Sequence, residues 1–286
     1  MNFFYQIILQ MRVHQWIKNS FIFIPILVSG NFFNLNLVIN SLIAFVIFSI
    51  TSSTVYVIND LKDIKKDRNH PKKSKRPLAS GTISKTQAIF LILFLTGLNV
   101  IFNITFDKIY YVIITYLIVN FLYTFYLKKI PIVDAVCIAF GFVLRVLTGI
   151  LACNLEISNW IISLAFFLCL TLAFGKRYSE LSENYVETRD SINLYDLDFL
   201  KNTISSLSIL TITIYLIYTI DAGVYVGNKN ILFMSNIPVV IGLLYYNLLN
   251  YKNFSTENPT SLLLNDKIII SNVIVWSILI VLSFFI

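Results

Sequence analysis

The chain is organised around the stretch NDLKDIKKDRNHPKKSKRP, residues 59–77. It holds three carboxylates and eight Lys or Arg, whereas the sequence on either side is mostly apolar. If the part before Pro71 is helical, Asn59, Asp63 and Asp67 are spaced at i, i+4 and i+8 and lie along one face of the helix. The stretch therefore predicts a row of oxygen ligands near the end of a helix.

The composition of the whole chain is that of an integral membrane protein. Of its 286 residues, 57% are hydrophobic and 13% are charged, whereas soluble proteins average roughly 25% charged residues. The formal net charge of +7 does not indicate nucleic acid, because Lys and Arg lie in short loops between apolar runs, where they orient a membrane protein. Three cysteines without CxxC spacing indicate neither a zinc site nor a disulfide framework. We expect membrane lipid, and not nucleic acid, as a partner.

Apolar runs of roughly the 20 residues that cross a bilayer predict an all-α integral membrane fold with nine transmembrane helices. The predicted spans are residues 17–34, 37–58, 85–104, 109–126, 132–152, 159–175, 203–221, 232–250 and 268–286. The first is the weakest, since Pro25 and Gly30 interrupt it. No linker-like tract or repeat divides the chain, so residues 1–286 are expected to form a single domain.

The basic residues predict the orientation in the membrane. Nineteen of the 22 Lys and Arg fall on one side of the predicted spans and two on the other, while Arg145 lies within a span. Because cytoplasmic loops are enriched in Lys and Arg, we expect a protein of the cell (inner) membrane. Its N-terminus is expected in the cytoplasm and its C-terminus on the outer side. The loops after the second, fourth and sixth spans then cap the cytoplasmic face, where the active site is expected.

The 59–77 stretch has the composition of a site for a magnesium-bound diphosphate. Mg²⁺ takes carboxylate and other oxygen ligands together with substrate phosphates, and the Lys and Arg that follow can neutralise further phosphate charge. A solvated loop that only sets topology would explain the bases but not the regularly spaced acids. Pro71 disfavours a helical His70, so the helix is expected to end near Asn69. His70 itself is a metal ligand, a hydrogen-bond donor to phosphate, or a turn residue.

A second group of polar residues surrounds the turn after the fourth predicted span. Tyr123, Lys128 and Asp134 flank this turn, and Arg145 follows about three helical turns beyond Asp134. An Arg at that depth in a span is costly. It is either functional or a structural partner of carbonyl groups or of a buried acid.

A third group opens the loop after the sixth predicted span, within GKRYSEL at residues 175–181. Lys176 and Arg177 are placed to hold a lipid phosphate at headgroup depth. The alternative is that they only set topology, as flanking basic residues do.

Taken together, these motifs resemble the UbiA prenyltransferase superfamily, intramembrane enzymes that bind a Mg²⁺-diphosphate. The resemblance is carried by NDxxDxxxD at residues 59–67 and YxxxLKxxxxxD at residues 123–134. Four further elements resemble its decaprenyl-phosphate phosphoribosyltransferase branch: RxxQWxKN from residue 12, HPxKxxRPLASG from residue 70, GFxLRxxxG from residue 141, and GKRYSEL. The match covers nearly the whole chain.

The resemblance implies a role for each candidate residue. The implied ligands of one or two Mg²⁺ are Asn59, Asp60, Asp63, Asp67 and Asp134, with Asn59, Asp63 and Asp67 as the catalytic set. The implied substrate-binding groups are His70, Lys73, Lys75, Arg76, Tyr123, Lys128, Arg145, Lys176 and Arg177. Family members that prenylate aromatic rings carry a second motif, DxxxD, but here Ile138 stands at its last position. With that acid missing and extra bases present, the resemblance implies 5-phosphoribosyl 1-diphosphate as the donor.

The implied reaction transfers 5-phosphoribose to a decaprenyl-like polyprenyl phosphate and releases diphosphate. Its product would be a precursor of a decaprenylphosphoryl-arabinose-type donor for cell-envelope polysaccharide. One alternative is a UbiA-type enzyme that moves a prenyl group from prenyl diphosphate to an aromatic acceptor. Another is a transporter or channel, which would distribute polar residues through its spans, whereas here they are crowded on one face. The sequence leaves open whether the protein is a homo-oligomer.

Overall fold

Helices make up the regular structure in the computed structural model, which describes residues 3–71, 73–156, 158–182, 194–221, 227–252, 262 and 264–285. The α-helices with both ends in these ranges are α1 (Phe3–Gln10), α2 (Ile24–Val28), α3 (Leu35–Asn69), α4 (Pro77–Ser80), α5 (Lys85–Thr105), α6 (Tyr110–Phe125), α7 (Val133–Cys153), α8 (Asn159–Ser182), α9 (Leu197–Asp221), α10 (Lys229–Met234), α11 (Asn236–Tyr251) and α12 (Lys267–Leu282). Short 3₁₀ helices lie at Val13–Phe23, Lys73–Lys75, Asp107–Ile109 and Leu127–Lys129. The described ranges contain no β-strand.

Within the described residues, seven helical stretches are long and apolar enough to cross a membrane, as expected of a multi-pass membrane protein. They are Leu35–Asn69, Lys85–Phe102, Asp107–Phe125, Val133–Cys153, Asn159–Ser182, Leu197–Asp221 and Lys229–Tyr251. The all-α class is therefore confirmed, but nine spans are not. In place of the first predicted span, the 3₁₀ helix Val13–Phe23 is followed by the five-residue α2, which begins at Ile24 and has Pro25 at its second position. Pro25 lacks the N–H that would continue the hydrogen bonding of the preceding helix. The last predicted span is the 16-residue α12.

Helix α3 is longer than a membrane crossing requires. Asn34 caps its start by accepting a hydrogen bond from the amide of Leu37. It ends at Asn69, as predicted, because His70 before Pro71 is extended (φ −90°, ψ 131°). At ~1.5 Å per residue, its 35 residues span about 52 Å, against roughly 30 Å for the hydrocarbon core of a bilayer. The end that carries the acids therefore extends beyond the apolar part of the helix.

Helices α3 and α7 form the centre of the packing. Helix α3 packs against α5, α6 and α7, while α7 also packs against α8, which in turn packs against α9. The described part of the loop after α8 begins at residue 194, so most of the third predicted cap loop, residues 183–193, lies outside the described residues. Residues 253–261 also lie outside them.

The 3₁₀ helix Val13–Phe23 is seated between α3 and α7 by a close backbone approach. A Cβ built on Gly149 of α7 would collide with the carbonyl group of Ile22. This contact brings Asn19 to the interior of the bundle, where it is 1% exposed. Only glycine at position 149 allows this fit.

We expect Gly149→Ala to lower the free energy of unfolding by about 1–3 kcal/mol, since the new methyl group meets backbone and not a movable side chain. Gly97→Ala in α5 is the matched control, because its Cβ would have nothing within 4 Å. Removing a helical glycine there should stabilise the protein by about 0.5–1 kcal/mol. Thermal unfolding in detergent measures both. Equal melting temperatures for the two variants would contradict the close approach.

Candidate active site

The predicted metal-binding residues share the C-terminal end of α3 but face two different neighbours. Asn59 accepts a hydrogen bond from the Thr124 hydroxyl of α6. Both carboxylate oxygens of Asp63 accept hydrogen bonds from the Lys128 ammonium group, at 2.9 and 2.8 Å. Asn59 and Asp63 therefore face α6 and the turn that follows it. The structure thus brings two motifs together that lie 65 residues apart in the sequence.

Asp60 and Asp67 form the other side of this helix end. The Arg76 guanidinium lies between them, with Nη1 3.1 Å from Asp60 Oδ1 and 2.7 Å from Asp67 Oδ2. Asp60 also forms an ion pair with Arg12 and accepts a hydrogen bond from Gln10 at 3.0 Å. The predicted single row is therefore divided. Asp67 lies seven residues after Asp60 and eight after Asn59, and residues seven apart lie closer to the same helix face than residues eight apart.

His70 closes the end of α3. Its side chain is 6% exposed, and its Nδ1 accepts a hydrogen bond from the Lys73 amide at 3.3 Å. Of the three roles left open by the sequence, this contact favours the turn residue. Lys73 and Lys75 lie in the 3₁₀ helix that follows, where Lys75 is exposed.

Basic residues from two segments surround His14 at this end of the molecule. Burial lowers the pKa of His14 below its ordinary value, and the charges of Arg12, Lys18 and Arg76 lower it further. The imidazole is therefore neutral at pH 7. Cations from the N-terminal segment and from the loop after α3 therefore act together on this imidazole.

Asp134 and Arg177 form a buried ion pair between α7 and α8. Arg177 Nε lies 2.7 Å from Asp134 Oδ2, and both side chains are fully buried. The guanidinium also pairs with Glu180, and Lys176 Nζ lies 3.7 Å from the same carboxyl group. Arg177 thus faces acids of the protein, so the lipid-phosphate role predicted for it stays a prediction. The Lys176 side chain is 32% exposed.

Tyr195 completes this cluster from the loop before α9. Its hydroxyl donates a hydrogen bond to Asp134 Oδ1 at 2.9 Å and accepts one from the Ile132 amide at 2.5 Å. Burial raises the pKa of Tyr195 to about 12, and the Asp134 carboxylate contributes to the rise. The phenol therefore stays protonated and able to donate near neutral pH.

The backbone before Asp134 adopts a strained turn. Ile132 has φ 68° and ψ −51°, and the Val133 amide donates a hydrogen bond to the Pro131 carbonyl at 2.7 Å. These values describe a γ-turn of the rare form. A positive φ is unusual for a β-branched residue, and such conformations cost about 1–3 kcal/mol.

Arg145 lies inside the bundle and is held by neutral groups. Its guanidinium donates hydrogen bonds to the Asn19 side chain at 2.8 Å, the Gly141 carbonyl at 2.8 Å and the Tyr116 hydroxyl at 3.3 Å. The rings of Phe48 and Phe142 each lie 4.9 Å from its central carbon. This environment favours the structural alternative, in which carbonyls and aromatic faces stabilise the charge.

The acids of α3 suit Mg²⁺ better than Asp134 does. Oxygen ligands from one or two carboxylates, completed by substrate phosphates and water, are typical of Mg²⁺ sites. The Asp63 side chain is 30% exposed, so it is accessible for such a site. Within the described residues, no three acids, histidines or cysteines converge at metal-binding distance. Asp134 is enclosed by its ion pair, so its predicted role as a metal ligand stays a prediction.

Several contacts at these sites were not predicted from the sequence. The residues involved are Gln10, Arg12, Asn19, Thr124, Glu180 and Tyr195. Arg12 and Asn19 belong to the RxxQWxKN element, which was a signal for them. Tyr195 lies in no motif that the sequence singled out. Tyr123 is half-buried in the last turn of α6, beside Thr124.

Comparison with known proteins places this architecture in a family. Residues 21–273 match the UbiA prenyltransferase family, which covers most of the chain. The chain belongs to the UbiA prenyltransferase family. This confirms the resemblance seen in the sequence and makes the protein a member of a transferase family. Most helices of the fold, including α3, α7 and α8, lie within the matched region.

Curated relatives of this UbiA-family chain include two with nearly the same sequence identity to it. It is 27% identical over 285 residues to the decaprenyl-phosphate phosphoribosyltransferase of Corynebacterium glutamicum, covering 96% of this chain and 86% of that protein. It is 26% identical over 274 residues to the protein of the same name from Mycobacterium tuberculosis, covering 93% and 89%.

Solved structures share the UbiA fold. A UbiA homologue from Archaeoglobus fulgidus, bound to GPP and Mg²⁺, superposes with a TM-score of 0.71 at 18% identity and covers 96% of both chains. At this identity the likeness concerns the fold alone. The helical arrangement is therefore that of the UbiA family.

Proposed function

We propose that this UbiA-family protein transfers 5-phosphoribose from 5-phosphoribosyl 1-diphosphate to a polyprenyl phosphate and releases diphosphate. The observation that carries the proposal is the pairing of acids on α3 with cations from other parts of the chain: Lys128 with Asp63, and Arg12 and Arg76 with Asp60. A prenyl diphosphate has one anionic end, whereas the sugar donor carries a diphosphate and a second phosphate. The assembled cations suit the more anionic donor.

The acids and the cations divide the work of binding. Asn59 and Asp63 on one side of the helix end and Asp67 on the other are the residues that would hold one or two Mg²⁺, which when bound would neutralise charge on the departing diphosphate. Arg76 and Lys128 would then release their carboxylate partners and contact donor phosphates, since Arg and Lys form strong charge-assisted bonds to phosphate. Lys73 and Lys75 extend this basic surface. The relatives named phosphoribosyltransferases support this donor for this chain as well.

The reaction needs little proton transfer. As the C1–O bond to diphosphate breaks, an oxygen of the lipid phosphate forms the new bond to C1 of the ribose. A phosphate monoester is already anionic near neutral pH, so no general base is required of the protein. Holding a soluble donor next to a lipid acceptor supplies much of the remaining rate enhancement.

The acceptor is proposed to approach from the membrane at the end of α8. Lys176 is partly exposed there, while Arg177 and Glu180 anchor the helix end inside the bundle. We place this site at the cytoplasmic face of the cell membrane, with the N-terminus inside, on the strength of the basic-residue count. The product would serve as a lipid-linked sugar precursor for a cell-envelope polysaccharide.

Lys176→Ala is expected to raise the KM for polyprenyl phosphate about tenfold, the loss of one charged hydrogen bond of about 1.5 kcal/mol. The KM for the sugar donor should be unchanged, since the substitution removes a contact to the acceptor alone. Lys252→Ala, which removes an exposed charge after α11, is the control. A rise confined to the donor KM would contradict the assignment of the acceptor.

The second candidate is transfer of a prenyl group to an aromatic acceptor, which the fold shared with a GPP-bound homologue favours. One experiment separates the two reactions. Purified protein with Mg²⁺ is given labelled 5-phosphoribosyl 1-diphosphate and polyprenyl phosphate, and in parallel labelled prenyl diphosphate and an aromatic acid. We expect label in the lipid product of the first mixture only. Product in the second mixture alone would establish the prenyltransferase instead.

A further inference from the structure

The strained turn at Ile132 is not explained by packing of its own side chain. That side chain is 49% exposed, so burial gives little reason for a β-branched residue to adopt a positive φ. The neighbouring backbone is nevertheless closed by the hydrogen bond from Val133 to Pro131. Some other contact must therefore hold the conformation.

Backbone hydrogen bonds from Asp134 to Ile130 (3.1 Å) and from Val136 to Ile132 (2.9 Å) begin α7, and the Tyr195 hydroxyl is a side-chain contact that holds the turn from another element. It accepts from the Ile132 amide at 2.5 Å and donates to Asp134 Oδ1 at 2.9 Å. A single oxygen thus joins the strained residue to the Asp134 carboxylate, which forms an ion pair with Arg177 of α8. The ring of Tyr195 is fixed separately, edge-on to Phe174 and stacked on Phe199. Because ring and hydroxyl have different contacts, their roles can be tested apart.

The conformation of the γ-turn also affects where Lys128, a few residues earlier, lies. The 3₁₀ helix Leu127–Lys129 leads into Ile130, Pro131 and the γ-turn without an intervening helix. Lys128 reaches from this short segment to both oxygens of Asp63 on α3. A change in the backbone at Ile132 would therefore move Lys128 relative to the acids of α3.

We propose that Tyr195 is a positioning residue for donor binding, which holds the 130–134 turn so that Lys128 faces Asp63. The nature of the donor rests on the proposed function. The contact itself does not, because it concerns only the hydroxyl and the turn. Tyr195 touches neither substrate nor metal in this proposal and acts through Lys128.

The test is Tyr195→Phe, which removes the hydroxyl and keeps the ring. We expect the KM for 5-phosphoribosyl 1-diphosphate to rise about tenfold while the KM for polyprenyl phosphate is unchanged. Ile132→Gly added to this variant should restore the donor KM, since glycine adopts a positive φ without strain. Tyr111→Phe, at an exposed ring, is the control. An unchanged donor KM in Tyr195→Phe, or no restoration by Ile132→Gly, would overturn the proposal.

Amide hydrogen exchange separates failure of this proposal from failure of the proposed function. In Tyr195→Phe, peptides that cover residues 127–136 should exchange faster, whatever the substrate is, and the double variant should return toward wild type. If wild type gives no phosphoribosyl transfer but this pattern appears, the proposed function fails and the role of Tyr195 in holding the turn stands. Unchanged exchange in these peptides would overturn that role, even in an enzyme that transfers phosphoribose.

Discussion

Asp63→Asn and Asp67→Asn are each expected to reduce kcat/KM for phosphoribosyl transfer by about 10³-fold, equivalent to about 4 kcal/mol of transition-state stabilisation. Each substitution keeps the shape of the side chain and removes the charge that Mg²⁺ requires. Asp63 is a partner of Lys128 and Asp67 is a partner of Arg76. The two variants therefore test both sides of the α3 helix end. Initial rates at several Mg²⁺ concentrations measure the effect.

The control for these variants is Asp198→Asn, at an exposed carboxylate in the first turn of α9. It removes the same charge outside the proposed site and should transfer phosphoribose at the wild-type rate. All three proteins should elute as folded species in detergent, which separates a chemical loss from misfolding. Wild-type turnover in both Asp63→Asn and Asp67→Asn would contradict the metal assignment.

Arg177→Met is expected to lower the free energy of unfolding by about 3–5 kcal/mol, the cost of breaking a buried ion pair. The substitution leaves the Asp134 and Glu180 carboxylates buried beside an apolar side chain, and the guanidinium that it removes is fully buried. Thermal unfolding in detergent measures the loss. Lys176→Met, at the partly exposed neighbour, should change stability by less than about 1 kcal/mol, as exposed ion pairs do.

A triple variant gives a stricter form of this test. Arg177→Met combined with Asp134→Asn and Glu180→Gln removes the two charges that the single variant strands, so it should recover part of the lost stability. A normal melting temperature for Arg177→Met, together with a raised KM for polyprenyl phosphate alone, would contradict the buried pair. That result would favour the phosphate contact predicted from the sequence.

The local features of the site could be predicted from the sequence. The end of α3 at Asn69 follows from Pro71, and the helical spacing of Asn59, Asp63 and Asp67 follows from the continuity of that helix. The proximity of Arg76 to Asp60 and Asp67 could also be predicted, because these residues are close in the chain. The depth of Arg145 in a span marks it as exceptional in the sequence, whereas the carbonyl and aromatic groups around it are visible only in the structure.

Contacts between distant segments could not be predicted. Arg12 meets Asp60 across 48 residues, and Tyr195 meets Asp134 across 61. Such pairs depend on how helices pack, and hydrophobic periodicity reports only which face of each helix is buried. The division of the α3 acids between two neighbours arises in the same way. The first predicted span is not confirmed as one continuous α-helix for a local reason, since Pro25 interrupts the helical hydrogen bonding there.

The most direct measurement of the central claim follows two labels on one donor. 5-Phosphoribosyl 1-diphosphate is labelled in the ribose and, with a different isotope, in the β-phosphate, and is incubated with the protein, Mg²⁺ and polyprenyl phosphate. We predict that the ribose label enters the organic phase while an equal amount of the phosphate label appears in water as diphosphate. Ribose label that stays in the aqueous phase under conditions where the protein converts prenyl diphosphate would contradict the account.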